Sequence, residues 1–150
     1  MNPFLLSPDE RLAHWKEFRR SLATMDETAQ LQAVAAYWSK APLKSIAYDP
    51  ADASNWPTPW EMMYANEWCR SSVAIMMEAT LRLAGFSPDR MTLKLIIDRD
   101  IQEELLVLII DAQWVLNYDW GFIQPYPKTN HSAIRAWRFS GRAYSILNNG

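Results

Sequence analysis

At 150 residues with 49% hydrophobic content, the chain is long enough to bury one core without disulfide or metal staples. A net charge of -2 and a pI near 5.7 give no general pull toward nucleic acid, and no stretch approaches the roughly 18–20 apolar residues of a membrane span. One cysteine excludes an internal disulfide and suggests an intracellular protein, and the residues before Ser7 are too few and too uncharged for a signal peptide.

The elements read as follows. Ser7-Pro8-Asp9-Glu10 is a helix start, with an N-cap serine, proline at the first helical position and glutamate three residues after the cap. Leu12, Trp15, Phe18 and Leu22 follow at helical spacing. Asp26 caps a second helix with Leu31, Val34, Ala35 and Trp38 on its apolar face, and Pro42 stops it. The two are expected to form an antiparallel hairpin over 1–46. From Ala47 to Pro59 the composition is that of an ordered loop, held by Tyr48, Trp56 and Trp60. Thr58-Pro59-Trp60-Glu61 repeats the capping-box pattern for a short helix to about Ala65. A further helix headed by Cys69 is expected to bury Val73, Met76, Met77, Thr80, Leu83 and Ala84, and Gly85 closes it.

After Gly85 the period becomes two. Met91, Leu93, Leu95 and Ile97 alternate with Thr92, Lys94, Ile96 and Asp98, the pattern of a strand with one buried face. Leu105–Ile110 suits a central strand, Asp111-Ala112-Gln113 a tight turn, and Trp114–Tyr118 its hairpin partner. Trp120-Gly121-Phe122 and Pro125-Tyr126-Pro127 break the regularity, and Ile134–Leu147 supplies one or two more strands or an arm. The sum is a single α+β domain, with a helical hairpin (1–46), a central helix on an antiparallel sheet of four to six strands (47–127), and a basic-aromatic C-terminal segment (128–150).

The aromatic-proline loop, the Cys-bearing helix closed by Leu81-Arg82-Leu83-Ala84-Gly85-Phe86, then Pro88-Asp89-Arg90-Met91 and three strands resemble the bacterial transglutaminase-like cysteine peptidases over about Asp49 to Tyr118. The resemblance implies a thiol nucleophile at the helix entry, a histidine base opening the second strand, and an aspartate on the third to orient it. Alignment through Val73-Ala74-Ile75 puts the nucleophile position on Arg70, one residue past Cys69; the base position falls on Glu103 or Glu104, and the orienting position on Asn117. A carboxylate is a poor base for a thiol, because its ordinary pKa lies about four units lower and its charge opposes thiolate formation. On that ground the chain is expected not to be an enzyme. The alternative is an active hydrolase or transamidase with Cys69 as nucleophile, His131 as base and Asn117 as orienter, since His14 and His131 are the two histidines.

Four glycines rule out a phosphate-cradling loop or dinucleotide fingerprint, so no cofactor is expected. No metal is expected either: Asp98, Asp100, Glu103 and Glu104 lack calcium-loop spacing and read as a solvated turn. Eight tryptophans indicate a rigid core or interface anchors. Asp98–Asp119 carries six acids against Arg99, while the tail carries Lys128, Arg135, Arg138 and Arg142 without an acid. Opposed charge of this kind suits docking to copies of itself or to other proteins. The functional expectation is therefore an interaction or structural protein in a multi-copy assembly, in the neck, connector or tail of a bacteriophage virion. Trp56, Trp60, Arg135, Trp137, Arg138 and Arg142 are its interface candidates, membrane is not expected as a partner, and nucleic-acid binding by the tail is a third, weaker reading.

Overall fold

The computed structural model describes residues 2–44, 50–126 and 131–147. The expected anchor Tyr48 and the tail residue Lys128 lie outside them. Helix α1 spans Pro8–Ser21 and α2 spans Glu27–Trp38, with Asp26 Oδ1 accepting the Ala29 N–H at 2.9 Å as the predicted cap. Helix α3, Pro59–Ala65, opens on a complete capping box between Thr58 and Glu61. Asn66, in left-handed conformation, ends it, and α4 follows at Arg70–Leu83.

Six strands then form one antiparallel sheet in the order β4-β3-β2-β1-β5-β6: β1 Met91–Asp98, β2 Glu103–Ile110, β3 Trp114–Asp119, β4 Phe122–Pro125, β5 His131–Ser140 and β6 Ala143–Ile146. Thus the C-terminal segment is no free arm. Strand β5 pairs with β1, so that β3, β2 and β1 lie between β4 and β5 in the sheet.

The helices cover one face of this sheet. Trp15, Trp38, Met76, Leu81, Leu93, Leu106, Leu108 and Trp137 belong to the core between them. The other face is also buried: Ile96, Leu105, Val107, Ile109 and Val115 form a second cluster beneath Tyr118 and Tyr126. This corrects the one-sided reading of β1, since Ile96 and Asp98 are buried on its second face whereas Ile97 is 39% exposed. Leu83, expected in the core, is exposed as well, at the last position of α4. Asp98 is not part of a solvated turn; its carboxylate accepts the Tyr118 hydroxyl at 2.8 Å and the Asp100 N–H at 2.9 Å. Trp56 and Trp137, expected as interface anchors, pack edge to face at 5.0 Å and are core residues.

The helical layer converges on one hydroxyl. Thr80, fully buried on α4, accepts the indole N–H groups of Trp15 (3.0 Å) and Trp38 (3.1 Å) and donates to the Met76 carbonyl at 2.6 Å. Two large rings from two different helices are thereby satisfied at a single atom, where an indole N–H buried without a partner costs about 1–3 kcal/mol. Replacing Thr80 by valine keeps the shape and orphans both donors. Urea unfolding of Thr80→Val is expected to show a loss of about 2–5 kcal/mol, while Thr80→Ser, which keeps the hydroxyl, loses only about 1 kcal/mol.

Candidate functional site

The entry to α4 is set by the three residues before it. Trp68 is fully buried, its indole N–H donates to Asn66 Oδ1 (2.8 Å), and its carbonyl accepts the Lys44 N–H (2.7 Å). Cys69 is consequently the N-cap of α4: its N–H donates to Ser72 Oγ, and that hydroxyl donates back to the Cys69 carbonyl, both at 2.9 Å. The thiol is partly buried.

Arg70, the first residue of the helix, faces β3. Its Nη2 donates to the Asn117 carbonyl at 2.9 Å, its guanidinium carbon lies 5.1 Å from the centre of the Trp120 ring, and Trp120 is held in turn by an N–H···O bond to the Ser39 carbonyl. Burial pulls the Arg70 guanidinium below its ordinary range, and the charge of Glu103 partly offsets this. Asn117 returns the contact. It is 1% exposed, and its Nδ2 donates to the Arg70 carbonyl and to the Leu106 carbonyl, each at 2.8 Å. Its φ of +68° breaks the alternation of β3 and turns its amide to the helix side of the sheet, a conformation asparagine tolerates better than most residues.

Two of the aligned positions are thus brought together, Arg70 and Asn117; Glu103 is exposed at the start of β2, where its charge acts on Arg70. Glu104, the other candidate for the base position, lies on the helix side of β2 opposite Ile97. The structure separates the residues of the alternative triad. His131 pairs with Asp98 at the start of β5, its ring 5.8 Å from that of Tyr126, on the sheet face of Ile96 and Tyr118. Cys69 and the Asn117 amide are on the opposite face, so the sheet stands between the thiol and this imidazole. His14 is on α1, with Nδ1 3.3 Å from the Tyr37 hydroxyl. Among the described residues no group of three or more His, Cys, Asp or Glu is placed to hold a metal, and no helix is long and apolar enough to cross a membrane.

The remaining interface candidates are dispersed. Trp60 is 52% exposed on α3, Arg135 donates to the Ala51 carbonyl (2.8 Å), Arg138 donates to Met91 O and Thr92 Oγ1, and Arg142 is exposed in the β5–β6 turn. Sequence reasoning passed over Trp120 as a site residue. Its signal would have been the run Asn117–Trp120 directly after the orienting position, where an aromatic ring can cover a helix entry.

No protein-family model matches the chain, and no curated protein matches it in sequence. Its fold does match solved structures of Legionella pneumophila LapG, a transglutaminase-like cysteine protease. The calcium-bound form superposes with a TM-score of 0.76 at 14% identity, over 97% of this chain and 82% of LapG. The EGTA-treated form gives 0.72 at 15% identity, over 95% and 78%, and a third LapG structure gives 0.72 at 16% identity, over 86% and 73%. The chain therefore has the transglutaminase-like α+β fold. This corrects the expectation that it is not an enzyme: proteins of this fold include a cysteine protease. At such identities the likeness defines the fold and assigns no catalytic residue.

Asn117 serves here as a donor to two carbonyls, a role aspartate cannot fill. Asn117→Asp is accordingly expected to lower stability by at least about 2 kcal/mol in urea unfolding at pH 7, because an unpaired buried carboxylate would face two carbonyl oxygens. A second outcome concerns Asp98, whose carboxyl is held below its ordinary value of 3.8 chiefly by the Tyr118 hydroxyl, with backbone N–H groups of the turn assisting against burial. A depressed carboxyl contributes stability above its unfolded pKa and loses it as pH falls through the folded one. Tyr118→Phe should then reduce stability at neutral pH and flatten its decline below about pH 4, as followed by unfolding across pH.

Proposed function

We propose that the chain is a protein-binding component of a multi-copy assembly, built on a transglutaminase-like fold. The single observation that carries this reading is a surface of large, exposed but pre-positioned side chains on α3 and the N-terminal segment. Leu5 is 83% exposed, Tyr64 68% and Trp60 52%. They are held in place from beneath. Arg11, itself buried, donates from Nε to the Met63 carbonyl (2.7 Å), from Nη1 to Leu6 O (2.6 Å) and from Nη2 to Tyr64 O (3.1 Å), so that one guanidinium binds the N-terminal segment to the end of α3. Trp60 rests edge-on against the buried Trp15 at 5.4 Å, and the Arg19 guanidinium lies 4.2 Å over Trp15 and 6.0 Å from Trp60.

Rigid aromatic residues beside an arginine are the usual anchors of a protein interface, because little conformational entropy is lost when they are covered. The opposed charges of the Asp98–Asp119 segment and the tail support a partner that includes further copies of the chain. The proposed setting, the neck, connector or tail of a bacteriophage virion, is supported by the compact, Trp-rich chain and its Asn55–Glu61 segment alone.

Light scattering of the purified protein, alone and with co-expressed genomic neighbours, tests the proposal. The expected result is a defined multi-copy or hetero-complex mass. Trp60→Ala with Tyr64→Ala should weaken the association at least about tenfold, the loss of a central anchor, in a variant that melting curves show to be folded. A monomer in both preparations, or an assembly indifferent to both substitutions, would overturn it.

A further inference from the structure

A groove of about 410 Å³ opens on the sheet face opposite α4, within the range of about 300–1,000 Å³ in which small-molecule sites generally fall. Leu147 and the Tyr126 ring supply apolar surface above the buried Ile109 and Ala136, and Arg90, Lys94 and Arg138 bring three cations against Asp89 and Asp111.

The charges divide into two sets. Arg90 is already used: its Nε donates to Asp111 at 3.0 and 3.2 Å, and its Nη2 pairs with Asp111 and with Glu27. Lys94 and Arg138 have no carboxylate partner among the described residues. Lys94 Nζ donates to the Tyr126 hydroxyl at 3.1 Å and lies 5.7 Å from the centre of that ring. Arg138 donates from Nε to the Met91 carbonyl (3.2 Å) and from Nη2 to Thr92 Oγ1 (3.0 Å), contacts that fix the plane of the guanidinium and leave Nη1 unspent. The β1–β5 register pairs Lys94 with Ala136, so Lys94 and Arg138 are diagonal neighbours on one sheet face. Like charges so placed repel, and both are partly withdrawn from water.

We infer that this groove binds an amphipathic monocarboxylate, with the carboxylate between Lys94 Nζ and Arg138 Nη1 and the apolar body on Leu147 and the Tyr126 ring. Arg90 is neutralised by Asp111 and Glu27, so Lys94 and Arg138, with Asp89 beside them, are the charges left to meet a ligand head group. The apolar floor adds affinity for a hydrocarbon body and none for a bare inorganic anion. Two charge-assisted hydrogen bonds hold the head group.

Isothermal titration with hexanoate, acetate and inorganic phosphate tests the assignment on the whole chain. Saturable binding of hexanoate, tighter than acetate or phosphate, is the expected result. Lys94→Met, which keeps the stem that packs on Tyr126, and Arg138→Ala should each weaken it about tenfold or more, the loss of a charge-assisted bond. Melting curves establish that both variants are folded, and Lys94→Met keeps the test open if Arg138→Ala is not. Absence of hexanoate binding, phosphate binding as tight as hexanoate, or hexanoate affinity unchanged in a folded variant would each overturn the inference.

Discussion

The helical layer depends on the hydroxyl of Thr80. Trp15 on α1 and Trp38 on α2 are large, rigid and wholly buried, and each brings one N–H that must be satisfied away from water. One oxygen on α4 satisfies both, which fixes the rotation of α4 relative to the two preceding helices. Around that point Trp68 packs against Trp38 at 5.2 Å and Phe4 closes over both rings. The residue that follows Trp68 is the cap of α4. The position of the helix entry, and hence of the candidate site, is therefore a consequence of how the tryptophans are seated.

A second constraint sets the distance between helix and sheet. Asn117 reaches from a left-handed turn of β3 to carbonyls of α4 and β2, and Arg70 reaches back to the Asn117 carbonyl. This reciprocal pair occupies the ground where the resembled peptidases are expected to hold nucleophile and orienting residue. The fold and the local chemistry have separate causes here. Core volume and strand register keep the transglutaminase-like frame, and the frame by itself does not specify what the side chains upon it do.

Much of the frame was legible because it rests on local rules. Asp26 and Thr58 cap helices through their own side chains, Asn66 and Gly85 end helices by adopting positive φ, and Leu105–Ile110 declares a central strand by unbroken apolarity. The site was legible in part. Its alignment onto Arg70, Glu103 or Glu104, and Asn117 used the spacing of apolar residues, and of these α4 and β3 bring Arg70 and Asn117 into contact. Burial was harder to read. Trp56 and Trp137 look like surface anchors in a polar, basic context, yet they face each other in the core, because β5 lies beside β1 and not at the sheet's edge. Tyr144 and Arg82 likewise converge on the buried Glu78, linking β6 to α4, and no pattern within either segment announces it.

From the chain itself came the element types and their order, the α+β class and the residues at the helix entry, since these follow from hydrophobic period, capping and turn chemistry within a few residues of each position. Tertiary structure alone decided which residues meet across the sheet. His131 and Cys69 stand on opposite faces because His131 pairs with Asp98, whose side chain is on the face away from the helices. Lys94 and Arg138, forty-four residues apart by number, become neighbours because β1 and β5 pair in that register. Such pairings are set by the packing of the entire sheet against its helices, a sum over long-range contacts that no local stretch of sequence contains.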